Sequence, residues 1–157
     1  MSTIGLRPEA AEDEPFLRRL TVAVRWNEFA AAPLDLAQKT ALLHQQHAAQ
    51  HGHYLKFYPD ADFSIVESDG KPIGRLYLDR GKCEHLLVDI ALLPEYSGKG
   101  IGGTLLDEML AEAARLGRIV ALQVDPLNPA RRLYLRKGFR DISQDGFHCL
   151  MHWAPEA

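Results

Sequence analysis

Between Leu86 and Leu116 the chain changes its period, and this change restricts the fold more than any other feature. Leu86–Leu93 is a continuous apolar run broken only by Asp89, the pattern of a strand covered on both faces. Ile101, Leu105, Leu106, Met109, Leu110, Ala113 and Leu116 then recur at helical spacing, and Gly117 closes that helix. Pro94-Glu95-Tyr96-Ser97-Gly98-Lys99-Gly100-Ile101-Gly102-Gly103 joins the two. Glycines at a strand-to-helix junction let backbone N–H groups approach a bulky anion without a Cβ in the way. The helix terminus adds partial positive charge. The segment reads as a cradle for phosphate or pyrophosphate.

The remaining elements follow from patterning and turn residues. Ile4–Arg7 is a short strand ending at Pro8. Asp13, Glu14 and Pro15 open a helix whose apolar face is Phe16, Leu17, Leu20 and Val24. A second helix is expected from Leu36 to Gln50, ending at Gly52. Asp60 to Asp62 marks a turn, and Phe63–Glu67 alternates as a strand. Asp69-Gly70-Lys71-Pro72 is a hairpin turn, and Ile73–Asp79 pairs back. Ile119–Val124 is a second buried strand. Asn128-Pro129 opens a fourth helix that stops at Gly138, and Phe139–Ser143 and Phe147–Trp153 are strands around Asp145-Gly146. The order is strand, two helices, three strands, helix, strand, helix, two strands. It predicts an α/β (α+β) fold: a mixed, mostly antiparallel sheet of six to seven strands flanked by four helices. The 157 residues suit one domain spanning 1–157.

Gly98, Gly100 and Gly103 match the dinucleotide pattern G-x-G-x-x-G. The context does not fit, because that fold needs serial strand–helix–strand units, whereas three strands here precede the loop with no helix between them. The loop and its flanks instead resemble the GNAT superfamily of acyl-CoA-dependent N-acetyltransferases, whose signature is R/Q-x-x-G-x-G/A after the fourth strand. Here it reads Ser97-Gly98-Lys99-Gly100-Ile101-Gly102, with Ser97 where Arg or Gln is usual. A second segment, Asn128-Pro129-Ala130-Arg131-Arg132-Leu133-Tyr134 followed by Gly138-Phe139, resembles the family's motif after the fifth strand.

The resemblance implies acetyl-CoA as co-substrate and a parallel fourth and fifth strand that splay apart. Pantetheine, with its two amides, would pair like an added strand with Ile90, Ala91 and Leu92. Gly98, Lys99, Gly100, Ile101, Gly102 and Gly103 would hold the pyrophosphate. Asn128 would cap its helix and contact CoA, and Tyr134 would stand near the thioester sulfur as the catalytic residue. The activity implied is acetyl transfer to a primary amine of a small molecule or peptide, by direct attack in a ternary complex. A non-catalytic acyl-CoA sensor of the same fold is the alternative, left open by Ser97 and Gln123. A nucleotide-binding module using the same glycine loop is a further rival.

The general base is not assigned by the sequence. Some family members carry Glu five residues before the Asn, where this chain has Gln123. Glu84, Asp89, Asp125 and a water chain remain. The resemblance gives the acceptor side to the first two helices and their connection, which hold Trp26, Asn27, Phe29, His44, His47, His51, His53 and Tyr54. His44, His47 and His51 share a helix face, read as ordinary exposed histidines rather than a metal site. No metal is expected.

A formal net charge of -3 argues against bulk nucleic-acid binding. Arg131, Arg132, Arg136 and Lys137 form one local basic cluster, suited to a phosphorylated small molecule. No signal-like segment or membrane-length apolar run is read, so Cys83 and Cys149 are expected as free thiols in the cytoplasm. A homodimer is compatible with the sequence.

Overall fold

The computed structural model describes residues 3–156. The chain begins with β1 (Ile4–Pro8), α1 (Glu14–Arg25) and α2 (Leu36–Phe57). Three strands follow, β2 (Asp62–Ser68), β3 (Lys71–Arg80) and β4 (Glu84–Leu92). Then come α3 (Ile101–Leu116), β5 (Ile119–Val124), α4 (Ala130–Arg136), β6 (Arg140–Gln144) and β7 (Cys149–Trp153). The seven strands form one sheet in the order β1-β2-β3-β4-β5-β7-β6. Every neighbouring pair is antiparallel except β4 and β5. The architecture expected from the sequence is the one observed.

Local chemistry explains most boundaries. Asp69 and Gly70 both have positive φ, +52° and +81°, the two-residue turn whose twist suits the β2–β3 hairpin. Asp13 stands at the start of α1, and its carboxylate accepts hydrogen bonds from the Ala10 N–H and the Arg7 guanidinium, all within 2.9 Å. The bonds from Arg7 hold that carboxyl below the usual range. α2 opens with a capping box, in which Asp35 accepts from the Gln38 N–H and Gln38 returns a bond to the Asp35 N–H. It runs on to Phe57, a turn and a half beyond the expected end. Gly52 lowers helix stability by only about 1 kcal/mol. Past it, His53 packs on Phe57 at 4.5 Å and Tyr54 meets the Tyr77 ring edge-on at 5.9 Å, and that packing carries the helix through.

The sheet has two differently filled faces. Leu105, Leu106, Met109, Leu110 and Ala113 of α3 join Leu76, Leu78, Leu87, Leu122 and Phe139 in the main core. On the other face Phe16, Leu17 and Leu20 of α1 pack on Ile65, Ala91 and Leu93, and α2 packs on α1. Cys149 is buried, whereas Cys83 is exposed in the β3–β4 turn rather than in a strand.

Two features shape β4. Tyr77 pairs with Asp89 and Leu78 with Leu87, so Val88 is an extra residue with no partner on β3. At the other end Gly74 lies opposite Leu92. A Cβ on Gly74 would collide with the Ala91 carbonyl and approach Leu92 Cδ2 to 2.7 Å. Only glycine lets the two strands come this close here.

Candidate active site

Parallel pairing of β4 with β5 covers Glu84–Leu87 and Ile119–Leu122 and then stops. From Val88 to Leu92, β4 keeps β3 on one side and has no strand on the other. Five residues of free edge extend about 17 Å. A cleft of about 990 Å³ opens along it, with Ile90, Ala91 and Leu92 on one side and Gly98, Gly100, Gly102, Gly103 and Thr104 on another. The structure thus brings the strand edge and the glycine loop together.

The loop owes its form to backbone angles. Gly98 and Gly100 have φ of +72° and +82°. A Cβ on either would meet nothing within 4 Å, so conformation rather than crowding selects glycine there. The Thr104 N–H reaches the Gly100 carbonyl and closes the first turn of α3. The N–H groups ahead of it have no helical partner, and they sit at the positive end of a 16-residue helix. Ser97 donates to the Pro94 carbonyl at 2.6 Å, so its short side chain closes the turn before the loop.

The side chains of Lys99 and Ile101 do not line the cleft. Lys99 lies over the Tyr96 ring at 5.6 Å, and Ile101 packs on the main core. Their main chain alone is left for a ligand. Of the basic cluster, Arg136 and Lys137 line the cleft. Arg131 is ion-paired with Asp141 instead.

Beyond the free edge lies a second, smaller chamber of about 350 Å³ with a polar lining. Arg25, Glu28, Gln50, Asp89, Ile90, Asn128 and Tyr134 border both spaces, so the two meet where β4 and β5 part. Tyr134 is 7% exposed, with its ring against Phe139 at 5.8 Å. Burial, together with the negative charge of Asp89, pushes its hydroxyl up to about 12. Asn128 accepts from the N–H of Ala130, the first residue of α4, at 2.9 Å, while bordering both spaces; Pro129 stands between them at the helix cap.

The acidic candidates separate by position. Glu84 lies at the far end of β4, about 16 Å along the strand from Asp89, and borders neither space. Asp125 borders the polar chamber and accepts from the Leu127 N–H. Gln123 borders it too. Asp89 alone among the three acids borders both. One of its oxygens accepts from Arg75 Nε at 2.8 Å, and the Arg75 side chain is only 5% exposed. Burial opposes the charge of Arg75, but Asp89 together with Tyr77 and Tyr54 offsets this, and the guanidinium stays above its ordinary value.

A polar chain runs back from that pair. Arg75 donates to Thr21 on α1, and Thr21 meets His47 Nδ1 on α2, each at 2.9 Å. His47 is therefore a buried residue, with its pKa lowered by desolvation, and not the exposed histidine expected. His51 stacks on it at 5.8 Å and bonds Glu9 at 2.9 Å. The Glu9 bond raises the pKa of His51. Trp26 is capped by Lys39, whose ammonium sits 4.0 Å from its ring centre. Of the expected acceptor-side residues only Tyr54 borders the polar chamber. Arg25, Glu28, Gln50 and Arg75 were not singled out by the sequence, and no local motif marks them.

The model of the GNAT acetyltransferase domain matches residues 59–141, more than half of the chain. No curated protein matches by sequence. The fold is similar to that of the PaiA N-acetyltransferase of Thermoplasma acidophilum, solved in complex with coenzyme A, at 22% identity and a TM-score of 0.73 over 97% of this chain and 99% of that one. It is similar to the histone acetyltransferase HPA2 and related acetyltransferase of Corynebacterium glutamicum, at 23% identity and 0.67 over 100% and 98%. It is also similar to the ribosomal-protein-S18-alanine N-acetyltransferase of Escherichia coli, at 20% and 0.62 over 99% and 96%. With its parted parallel strands and glycine loop, the chain belongs to the GNAT acetyltransferase family.

Proposed function

We propose that this protein transfers the acetyl group of acetyl-CoA to a primary amine of a small molecule or peptide, by direct attack in a ternary complex. One observation carries the reading: a glycine-walled cleft and a polar chamber meet at the parted strands, with the Tyr134 and Asp89 side chains bordering both. The free edge at Ile90, Ala91 and Leu92 suits the amides of pantetheine. The main chain from Gly98 to Gly103 suits the pyrophosphate, and Asn128 borders the same cleft. The coenzyme A bound to the Thermoplasma protein supports this choice of donor. The whole chain acts as one N-acetyltransferase domain, in the cytoplasm, and a homodimer is compatible with it.

Acetyl-CoA supplies the activated acyl group. An amine with a reference pKa of about 10.4 must lose a proton before it attacks. The polar chamber gives that proton a route to water. Attack forms an oxyanion, which a backbone N–H of the open edge can stabilise. The sulfur then leaves. With the Tyr134 hydroxyl at about 12 and an ordinary thiol at about 8.5, complete transfer to sulfur costs about 5 kcal/mol. Tyr134 therefore contributes a hydrogen bond to the developing thiolate rather than a proton.

The test is thiol release from acetyl-CoA in the presence of amines, polyamines, amino acids and peptides. Saturable, amine-dependent release is expected. Acetyl-CoA at 100 times its dissociation constant should also stabilise the fold by about 2.7 kcal/mol. Thermal stabilisation without amine-dependent release across the panel would favour the non-catalytic sensor. No thermal shift at all would sink both.

A further inference from the structure

Resting on the transfer reading, we propose that Asp89 receives the acceptor as an ammonium ion, which selects amines that are charged at neutral pH over weakly basic aromatic amines. Three observations lead there. The first is position: Asp89 borders both the glycine-walled cleft and the polar chamber, as Tyr134 does. The second is valence. Arg75 Nε takes one carboxylate oxygen at 2.8 Å, and the other makes no hydrogen bond among the described residues. That oxygen is not sealed from solvent either, since the side chain keeps 17% of its exposure. An ionised carboxylate has about four lone-pair sites, and Arg75 fills one.

The third observation is rigidity. Arg75 is held by Thr21, and Thr21 by His47, so the carboxylate is fixed from behind by α1 and α2. A fixed, half-filled carboxylate at the mouth of a polar chamber is a receptor for N–H donors. Of the other ionisable groups of the chamber, Arg25 pairs with one oxygen of Glu28 at 2.6 Å, Asp125 takes the Leu127 N–H through one oxygen and borders the chamber alone, and His148 borders the chamber from the segment before β7. Asp89 is the acid at the junction that is both largely buried, at 17% exposure against 55% for Glu28, and fixed by a buried guanidinium. An ammonium held there stands beside the free edge of β4, where the thioester is proposed to lie.

The experiment uses the CoA-loaded protein labelled with carboxyl-¹³C aspartate and observed by NMR. Ethylammonium chloride is the probe, with 1-propanol as its uncharged match and sodium chloride as the salt control. The Asp89 signal, assigned with Asp89→Asn, should shift saturably with ethylammonium only. Asp89→Asn should weaken ethylammonium binding by about tenfold or more, read from backbone amide shifts in β5, while CoA still binds. If that variant does not fold, Asp89→Glu provides the assignment and the wild-type titration still decides. An Asp89 signal that ignores ethylammonium, or moves equally with propanol, overturns the proposal while CoA binding stands. Failure of CoA to bind overturns the transfer reading, and this proposal with it.

Discussion

The two sides of the parted strands are built from different materials. The cleft on one side is floored by main chain, a strand edge at Ile90–Leu92 and a glycine loop in which the Lys99 and Ile101 side chains are turned away, with Arg136 and Lys137 at its wall. The chamber on the other side is made of side chains from α1, α2, β4, β5 and the segment before β7. Main chain binds what every member of a family shares, because amides are the same whatever the residue. Side chains bind what differs between members. A common donor and a varied acceptor call for this division.

The largest expected effect on the fold itself tests the main-chain half. Gly74→Val would drive a side chain into the Ala91 carbonyl and Leu92. Overpacking of this kind costs about 1–3 kcal/mol and displaces the free edge itself. The variant should melt earlier and bind acetyl-CoA at least about tenfold more weakly by calorimetry, after correction for the unfolded fraction. Unchanged affinity would show that the edge does not hold the ligand.

Tyr134→Phe sits at the join between the halves. Loss of its hydroxyl should lower turnover by about 10²-fold with little change in acetyl-CoA affinity. Single-turnover kinetics checks this, and full turnover would reduce Tyr134 to a packing residue. Ser97→Arg is a smaller perturbation of the cradle. It removes the bond to the Pro94 carbonyl and adds a guanidinium beside the glycines. At an exposed site the gain is about 1 kcal/mol or less, so CoA should bind several-fold tighter, and more so at low salt. Dephosphorylated pantetheine should gain nothing, and equal gains for both would place residue 97 away from the anion.

The smallest effect probes the backing of the side-chain half. Glu9 raises the pKa of His51, so the charged pair stabilises the fold fully below about pH 6.5. That contribution fades as pH rises through the raised folded value. His51→Gln should therefore lower Tm most below pH 6.5 and progressively less at alkaline pH, by about 1 kcal/mol or less throughout. A gap that is independent of pH would assign the pair no charge.

The same division decides what could be read from the sequence. The glycine loop and the segment from Asn128 to Tyr134 are short stretches in which consecutive residues do one job, so order alone exposes them. Val24 to Gln50 gave no such signal. Arg25, Glu28 and Gln50 occupy ordinary polar positions, and their convergence needs the packing of α1 on α2. Arg75 alternates in β3 as an outward residue would, and only the helices on that face bury it. His47 reads as exposed for the same reason, because its burial comes from α1 rather than from anything in its own helix. α2 runs past Gly52 because that local stop signal is overruled by aromatic contacts distant in sequence.

The unpartnered Val88 sets parity along β4. Leu87 before it belongs to the main core with α3, and Ile90 and Leu92 after it pack on that same core. Leu87 and Ile90 are an odd number of residues apart, so strict alternation cannot put both on one face. The extra residue reverses the phase. It thereby sends Asp89 and Ala91 toward α1, where Arg75 waits. Were Val88 instead to pair on β3 as an ordinary strand residue, with no bulge, the two faces would exchange for everything downstream. The acid would enter the oily layer, and Ile90 and Leu92 would turn toward the polar network. For this strand the register against β3 decides which face each side chain takes, and the bulge at Val88 is what sets that register.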